Sequence, residues 1–397
     1  MPGTRKPSGG DGMTGPSETS ITLARRALAR YRERGTDQAD TPMPLPVSAY
    51  LDTERYAHEI EHCFKRLPMA IALSLELEGT STYRAMKILD TPVLVVRGRD
   101  GVARAFLNVC RHRGAQVVPD GTGTGLQFSC PYHAWVYDDR GALASMYGES
   151  TFGALERSER GLRELTCTEA AGPIWVCLTP GIAFDIDDWL CDFRIELETL
   201  DLENWHLHAE RDIPGPGWKV VWDGYLEAYH HNSLHQDTVG KFTIGNLVVH
   251  DTYGPHQRIT FGRKSLKDLM DQPEEKWAPD EHIRLIHSVF PNLSISGVLG
   301  DHCLVSILFP GPGPDTTVTR QYVLAAQEPK TEEQIAATEG FSNIVLRAVR
   351  DEDYAMGFTI QRGLASGANE TFLFGRNEPG LQHYHRMVAR YGCWSGD

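Results

Sequence analysis

Positive charge is in short supply in this chain of 397 residues: 39 Lys and Arg stand against 53 Asp and Glu, a formal net charge of −14 at pH 7. A nucleic-acid partner requires a basic stripe against its phosphates, and an anionic membrane surface requires much the same, so both are disfavoured. Cysteine is sparse too, with 8 residues spread along the whole length. That is not the dense framework of a secreted disulfide protein, and a reducing, cytoplasmic compartment is expected. There is no uninterrupted apolar run of about 18 residues to span a bilayer, and the N-terminal stretch lacks the apolar core of an export signal. No Gly-rich dinucleotide fingerprint follows a strand-like run, so the chain is not expected to bind nicotinamide itself. Nor is there a repeat at a solenoid period.

What is present suits an enzyme-sized globular chain. A hydrophobic content of 41% is ordinary, and the length accommodates about two or three domains. Residues 1–20 are rich in Gly, Ser, Pro and Thr and are expected to be a disordered tail. The pattern ITLARRALARYRERG that follows reads as a docking helix, capped by Ser20 and ended at Gly35. Between Pro46 and Thr168, short β-prone runs alternate with Gly and Asp turns, the pattern of a small all-β module. After Gly172 the run IWVCLTP reads as a strand returning to a second domain, and Phe184 to Leu202 is amphipathic and helical. The remainder mixes strands with two long helical stretches.

The richest stretch is CRHRGAQVVPDGTGTGLQFSCPYH, from Cys110 to His133. Cys110 and His112 form one pincer, Cys130 and His133 another, with seventeen residues between them. Two thiolates and two imidazoles suit either tetrahedral zinc or a [2Fe-2S] cluster in which two His replace two Cys on one iron. A zinc finger groups its cysteines together and its histidines together. Here each arm brings one of each kind, so each iron can take one kind of ligand, which favours the cluster.

CRHRG followed by CPYHAW, with a Gly-rich turn between and Tyr137 and Gly141 after, resembles the Rieske domain of the ring-hydroxylating oxygenase large subunits. One departure is Ala134, where the family commonly has Gly. The two further loop cysteines of the high-potential respiratory Rieske proteins are absent from both loops.

A second constellation lies in WKVVWDGYLEAYHHNSLH, residues 218–235. His231 and His235 are four apart, on one face of a helix, whereas His230 and His235 are five apart, about 140° round an ideal helix. Helical geometry alone prefers the first pair. A zinc-protease reading fails because Asn232 stands where the general-base Glu belongs. The resemblance points to the other pair: the oxygenases carry an acid, two positions, His, four positions, His, and Glu227, His230 and His235 match in register. Such a pair implies a distorted or π-bulged helix, with His231 left as pocket wall or surface. A third ligand must be a carboxylate from elsewhere. RAVRDEDYAMGFTIQRGLAS resembles the family's ligand helix and offers Asp351, Glu352 and Asp353. Successive helical residues point about 100° apart, so one of them faces the iron. Asp353 shares an apolar stripe with Val349, Met356 and Ile360 and best matches the family register relative to Gln361; Glu352 is the runner-up, and Asp351 suits a solvated face.

The resemblance covers nearly all of residues 40–390. It implies an α+β architecture: a small all-β Rieske domain (45–170) joined to a catalytic domain (21–44 and 171–397) with a large antiparallel sheet gripped by helices. It implies a Rieske [2Fe-2S] cluster on Cys110, His112, Cys130 and His133, and mononuclear Fe(II) on His230, His235 and Asp353. Electrons from NADH or NADPH would arrive through a separate flavin reductase, with or without a ferredoxin, to activate O2 and hydroxylate a small organic, aromatic substrate. Glu227 would bridge His230 to a Rieske histidine of the neighbouring subunit in a head-to-tail homotrimer, to which a small β subunit can be added. Asp223, where many relatives carry Asn near the iron, joins Glu227 among the catalytic residues. The alternative substrate class is a quaternary ammonium or betaine compound, because Glu at 227 resembles the branch acting on quaternary amines. Trp218, Trp222, Tyr225 and Tyr229 either cage such an ammonium or pack a core. The remote alternative is an electron carrier or a zinc-structured binding module.

Overall fold

The computed structural model describes residues 18–297 and 300–394. Residues 1–17 of the expected tail lie outside the described residues, and 18–20 open the first helix, Glu18–Glu33. Ser20 therefore sits inside the first turn and not at the cap. The helix ends where Arg34 takes a left-handed φ of 54°, with Arg34 N–H on Tyr31 O and Gly35 N–H on Arg30 O. That is the paired closure usually built on glycine, here one residue before Gly35. Its apolar face of Leu23, Ala24, Ala27 and Leu28 packs on Leu247, Val249 and Leu285 of the main sheet.

That sheet has seven antiparallel strands, in the order His206–Gly215, Thr317–Ala325, His302–Pro310, Leu293–Ser296, Ile283–Val289, His256–Arg263 and Thr243–Tyr253. One core extends from the sheet to the C-terminal helix Pro379–Gly392, where Trp218 and Trp222 meet Tyr384. These two indoles are fully buried core, and Tyr229 is exposed, so the four aromatics do not form a cage.

The β-rich module comprises a five-stranded sheet, ordered Glu164–Leu165, Ala103–Leu107, Thr91–Arg97, Thr82–Ile88 and Gly121–Thr124, and a three-stranded sheet of Gln127–Ser129, Val136–Asp138 and Leu143–Ser145. It leaves and rejoins the rest of the fold at one place. Strand Met69–Leu73 pairs with Pro173–Val176, and Ser74 N–H donates to Gly172 O at 2.8 Å. Residues 43–65, most of which were expected in the module, pack elsewhere. Met43–Pro46 pairs with Thr371–Phe374, and the buried Glu59 joins Arg55 (3.0 Å) to Lys219 (2.5 Å) beneath the 218–225 helix. Breaking such a buried pair leaves an uncompensated charge, so this contact fixes the segment to the catalytic helices.

Phe184 to Leu202 forms two short helices, Ile186–Leu190 and Phe193–Glu198. Among the described residues, no helix is long and apolar enough to cross a membrane.

Candidate metal centres

The two loops of the β module repeat one backbone device. In each, the residue four after the cysteine donates its N–H back to that cysteine's carbonyl: Gly114 to Cys110 and Ala134 to Cys130, both at 3.0 Å. In each, the cysteine N–H donates to the carbonyl five residues on, Ala115 or Trp135, at 2.8 Å. Closing the loop requires a left-handed residue, supplied by Gly114 (φ 77°) and by Ala134 (φ 51°). This is the physical reason glycine suits position 134, and why alanine, the smallest residue with a Cβ, can replace it. Tyr137, fully buried, accepts Arg111 N–H at 2.8 Å and lies 3.3 Å from Cys110 Sγ.

The donors fit a cluster. Cys110 and Cys130 are buried free thiols, and the rings of His112 and His133 lie 4.7 Å apart. Nδ1 of both histidines is buried with no hydrogen-bond partner. Buried polar nitrogens seldom go unsatisfied, and two aimed alongside two thiols call for a shared ligand. Outside, Arg113 reaches Nε2 of His133 at 3.1 Å, and burial together with Arg113 and His112 lowers the His133 pKa.

The second centre forms where three segments meet. The helix Trp218–Tyr225 stops well before the histidines, contrary to the expected distorted helix running through them. Its continuation is broken by Glu227, whose Oε2 accepts the backbone N–H of Tyr229 and of His230, so a side chain replaces the helical acceptor. The π-helix lies instead at Arg347–Tyr354 and carries the acids. Gln361 accepts Gly217 N–H at 3.1 Å, tying the two segments together. Position 217 must be glycine, because a Cβ there would lie 2.2 Å from Pro314 O.

One ligand atom from each of His230, His235 and Asp353 converges within 4.8 Å. Nε2 of His230 and Nε2 of His235 are 3.1 Å apart, and Asp353 Oδ1 stands 3.6 and 2.9 Å from them. The other nitrogen of each ring meets a carboxylate: His230 Nδ1 meets Glu227, and His235 Nδ1 meets Glu352 at 2.7 Å. Burial pulls the His235 pKa down, but Asp353 and Glu352 outweigh it and raise the pKa overall. Two imidazoles and a carboxylate on one side, each ring oriented from behind by an acid, fit a facial mononuclear iron site with open positions.

One expectation is corrected here. Met356 and Ile360 are exposed, so Asp353 does not lie on an inward apolar stripe; the wide π turn, not a regular helical period, delivers it. Asp223 is engaged by Tyr50 Oη (2.5 Å) and His385 Nε2 (2.7 Å) and makes no hydrogen bond to the three converging residues. It nevertheless lines a second cavity, of about 360 Å³, with Glu227, His230, Asp353 and Glu378. Burial raises the Glu378 pKa, and Glu227 and Asp223 add to the effect.

His231 is buried, accepts or donates at Thr243 Oγ1 (3.2 Å), and packs its ring 5.3 Å from Phe261. Burial and the flanking histidines lower its pKa well below the usual value, so it is a neutral wall residue. The cavity it walls has a volume of about 320 Å³, reaches His230, His235 and Asp353, and is mostly apolar, with Tyr225, Phe242, Phe261 and Phe341 in its lining. Arg263 and Arg284 also line it. Neither was singled out from the sequence.

Residues 68–154 match the Rieske [2Fe-2S] domain, and residues 202–392 match the ring hydroxylating alpha subunit (catalytic domain). The chain belongs to the Rieske non-heme iron ring-hydroxylating oxygenases, large-subunit family. As a member, it is the terminal component of an oxygenase, with a Rieske [2Fe-2S] cluster and a mononuclear iron as cofactors, and it works with a reductase, a substrate and O2. It is 25% identical to the glycine betaine monooxygenase oxygenase subunit of Pseudomonas aeruginosa over 85% of this chain and 87% of that one. It is likewise 25% identical to the carnitine monooxygenase oxygenase subunit of Escherichia coli, over 87% and 93%. Among solved structures, a quaternary ammonium Rieske monooxygenase with L-carnitine aligns at TM-score 0.74 and 23% identity, over 94% of this chain and 98% of that one. Naphthalene 1,2-dioxygenase from Rhodococcus sp. aligns at 0.74 and 19%, over 96% and 100%. At these identities the structural likeness speaks for the fold. The expected role in aromatic hydrocarbon catabolism is not supported, since the relatives named act on glycine betaine and carnitine.

Proposed function

We propose that this oxygenase hydroxylates a methyl or neighbouring C–H group of a small quaternary ammonium compound. The observation that carries this reading is the position of the His230, His235 and Asp353 donor atoms, gathered within 4.8 Å at the wall of a largely apolar cavity. Quaternary ammonium methyls donate no hydrogen bonds, so the apolar walls of the cavity suit them, and the face of Tyr225 attracts the cation they carry. In the balanced reaction R–CH3, O2, two electrons and two protons give R–CH2OH and water. On an N-methyl group the product loses formaldehyde and leaves the demethylated amine.

Cys110, His112, Cys130 and His133 hold the cluster, which supplies electrons one at a time when bound. His230, His235 and Asp353 hold the iron, while Glu227 and Glu352 orient the two rings through their second nitrogens. Of the expected cluster unit 45–170, residues 45–65 belong with the catalytic domain, which then comprises 21–65 and 171–397. Electrons cross between subunits of a head-to-tail homotrimer, through Glu227. Support for this contact comes from the exposed Tyr229, Met356, Phe358, Ile360 and Leu373 near Glu227 and His230, and from Tyr132 and Phe152, exposed beside the cluster loops. Met356, Ile360 and Leu373 line one cavity with Glu227 and His230, so these exposed apolar side chains are grouped and not scattered, as a partner surface requires.

The test is NADH- and O2-dependent turnover with a reductase, across betaines, aromatic acids and hydrocarbons, with formaldehyde measured alongside. Coupled turnover of a betaine is the expected result. Turnover of aromatic compounds with none of any quaternary amine would remove the substrate assignment while leaving the oxygenase chemistry in place.

A further inference from the structure

We infer that the substrate carries an anionic group, a carboxylate or a sulfonate, gripped by Arg263 and Arg284 within the cavity that His230, His235 and Asp353 also line. The inference rests on reading that cavity as the substrate site.

The two arginines come from adjacent strands of the main sheet, Arg263 ending His256–Arg263 and Arg284 near the start of Ile283–Val289. Arg284 is the direct cross-strand partner of Phe261, and directly opposed residues of an antiparallel pair share a face. Phe261 packs on His231, whose ring lies 4.9 Å from His230 and 5.6 Å from His235. A layered path therefore runs from the converging donors through His231 and Phe261 to Arg284. It matches a ligand whose reacting end and charged end are separated by a short apolar body.

Neither guanidinium forms an ion pair with any described carboxylate, in a chain where most other buried arginines do. Arg284 is half-buried and donates only to the backbone carbonyls of Asp280 and Ile283 (2.7 Å for the latter). Arg263 donates to Glu281 O at 3.3 Å and lies over the Phe242 ring. Burial, with Arg263 as a like-charged neighbour and only Asp280 acting against it, brings the Arg284 pKa down to about 10. Two like charges facing an apolar cavity are unfavourable alone, and an anion between them would supply both Coulomb relief and the forked hydrogen bonds guanidinium favours. The negative groups of the cavity, Glu227 and Asp353, belong to the other end. The arginines thus set the direction of a zwitterion: the anion toward Arg263 and Arg284, and the end that reacts toward His230, His235 and Asp353.

The test is calorimetric binding to the wild-type holoenzyme at constant ionic strength, without turnover. The probes are γ-butyrobetaine, its sulfonate analogue, the alcohol with CH2OH in place of the carboxylate, and the carbon isostere with tert-butyl in place of trimethylammonium. The carboxylate or the sulfonate should bind at least tenfold more tightly than the alcohol, and the better of the two identifies the anion. Arg284→Gln and Arg263→Gln should each reduce that preference by tenfold or more, and Arg284→Lys should keep part of it; the visible cluster spectrum and far-UV circular dichroism check folding. If a variant does not fold, the wild-type ratio of acid to alcohol decides. Equal binding of acid and alcohol, a preference that survives both Gln variants, or no binding of either acid at millimolar concentration would overturn the inference. Equal binding of the tert-butyl and trimethylammonium acids would instead remove the quaternary ammonium reading and leave the anion site standing.

Discussion

Glu352 and Asp353 are neighbours in sequence and hold opposite nitrogens of the same imidazole: Glu352 Oε2 lies 2.7 Å from His235 Nδ1, and Asp353 Oδ1 lies 2.9 Å from Nε2. The acids therefore differ in kind, one beside the metal position and one behind the ring. Asp353→Asn should abolish mononuclear iron binding. Glu352→Gln should retain iron with about 10- to 100-fold weaker affinity, the usual loss when a ligand's orienting partner is removed. Iron titration of the apo-protein, with the cluster intact, measures both, and equal loss in the two variants would contradict the division.

The two centres should be separable. Wild-type protein is expected to be red-brown with about three irons per chain, two in the cluster. Cys110→Ser should remove the visible spectrum. His235→Ala should keep it, lose about one iron per chain, and stop turnover; metal analysis beside the spectrum distinguishes these patterns, and a colourless zinc protein would refute the cluster.

Glu227 offers a third test, since its carboxylate accepts from two backbone N–H groups and meets His230 Nδ1. Glu227→Gln keeps an oxygen acceptor and nearly the same shape but removes the charge that stabilises an imidazolium. Both metal centres should remain loaded and the cluster reducible, while single-turnover electron transfer to the mononuclear site falls by orders of magnitude. Mixed oligomers of cluster-dead and iron-dead subunits should regain activity if the path crosses an interface. A wild-type rate for Glu227→Gln would take the residue out of the path.

The paired loops allow a backbone effect to be read twice, in opposite directions. A Cβ on Gly114 would meet nothing within 4 Å, so Gly114→Ala isolates the conformational cost of φ 77°. It should destabilise the protein by about 1 kcal/mol, and Ala134→Gly should stabilise it by a similar or smaller amount. Chemical denaturation followed at the cluster absorbance checks both signs.

Acid stability should depend on Glu196. Burial alone would raise its pKa, but His287 at 2.8 Å and Arg258 at 2.5 Å bring it down to about 2. A depressed carboxylate contributes stability that is full above its unfolded value, about 4.3, and is lost as pH falls towards the folded value. Glu196→Gln should therefore lower stability at neutral pH and flatten its decline between about pH 4.3 and 2, as seen in melting temperature against pH.

The cluster loops were legible because all four donors fall within 24 contiguous residues and a tight turn brings near neighbours together whatever the rest of the fold does. The sheet-and-helix architecture followed from the resemblance. At the iron site the residues were legible but their backbone was not. The first segment was expected to be a distorted helix and the second to keep a regular helical period, whereas Glu227 ends one helix by capturing backbone N–H groups and the other helix widens at 347–354. The same assumption put Met356 and Ile360 inside. Arg263 and Arg284 were invisible for another reason: strand pairing brings them together from positions 21 apart, and no local pattern marks that meeting.

The hydrogen bond from Ser74 to Gly172, beside the pairing of Met69–Leu73 with Pro173–Val176, sets the two stems of the intervening segment side by side. A short turn joining Leu73 to Pro173 would bridge the gap without reordering any strand of the main sheet. Excision would nonetheless uncover Ile213, Trp218 and Leu304, which share one core with Met86, Val93 and Val95, and would part Arg84 from Glu210, so a redox unit from a relative can replace this one only where it supplies the same apolar face and the same charge.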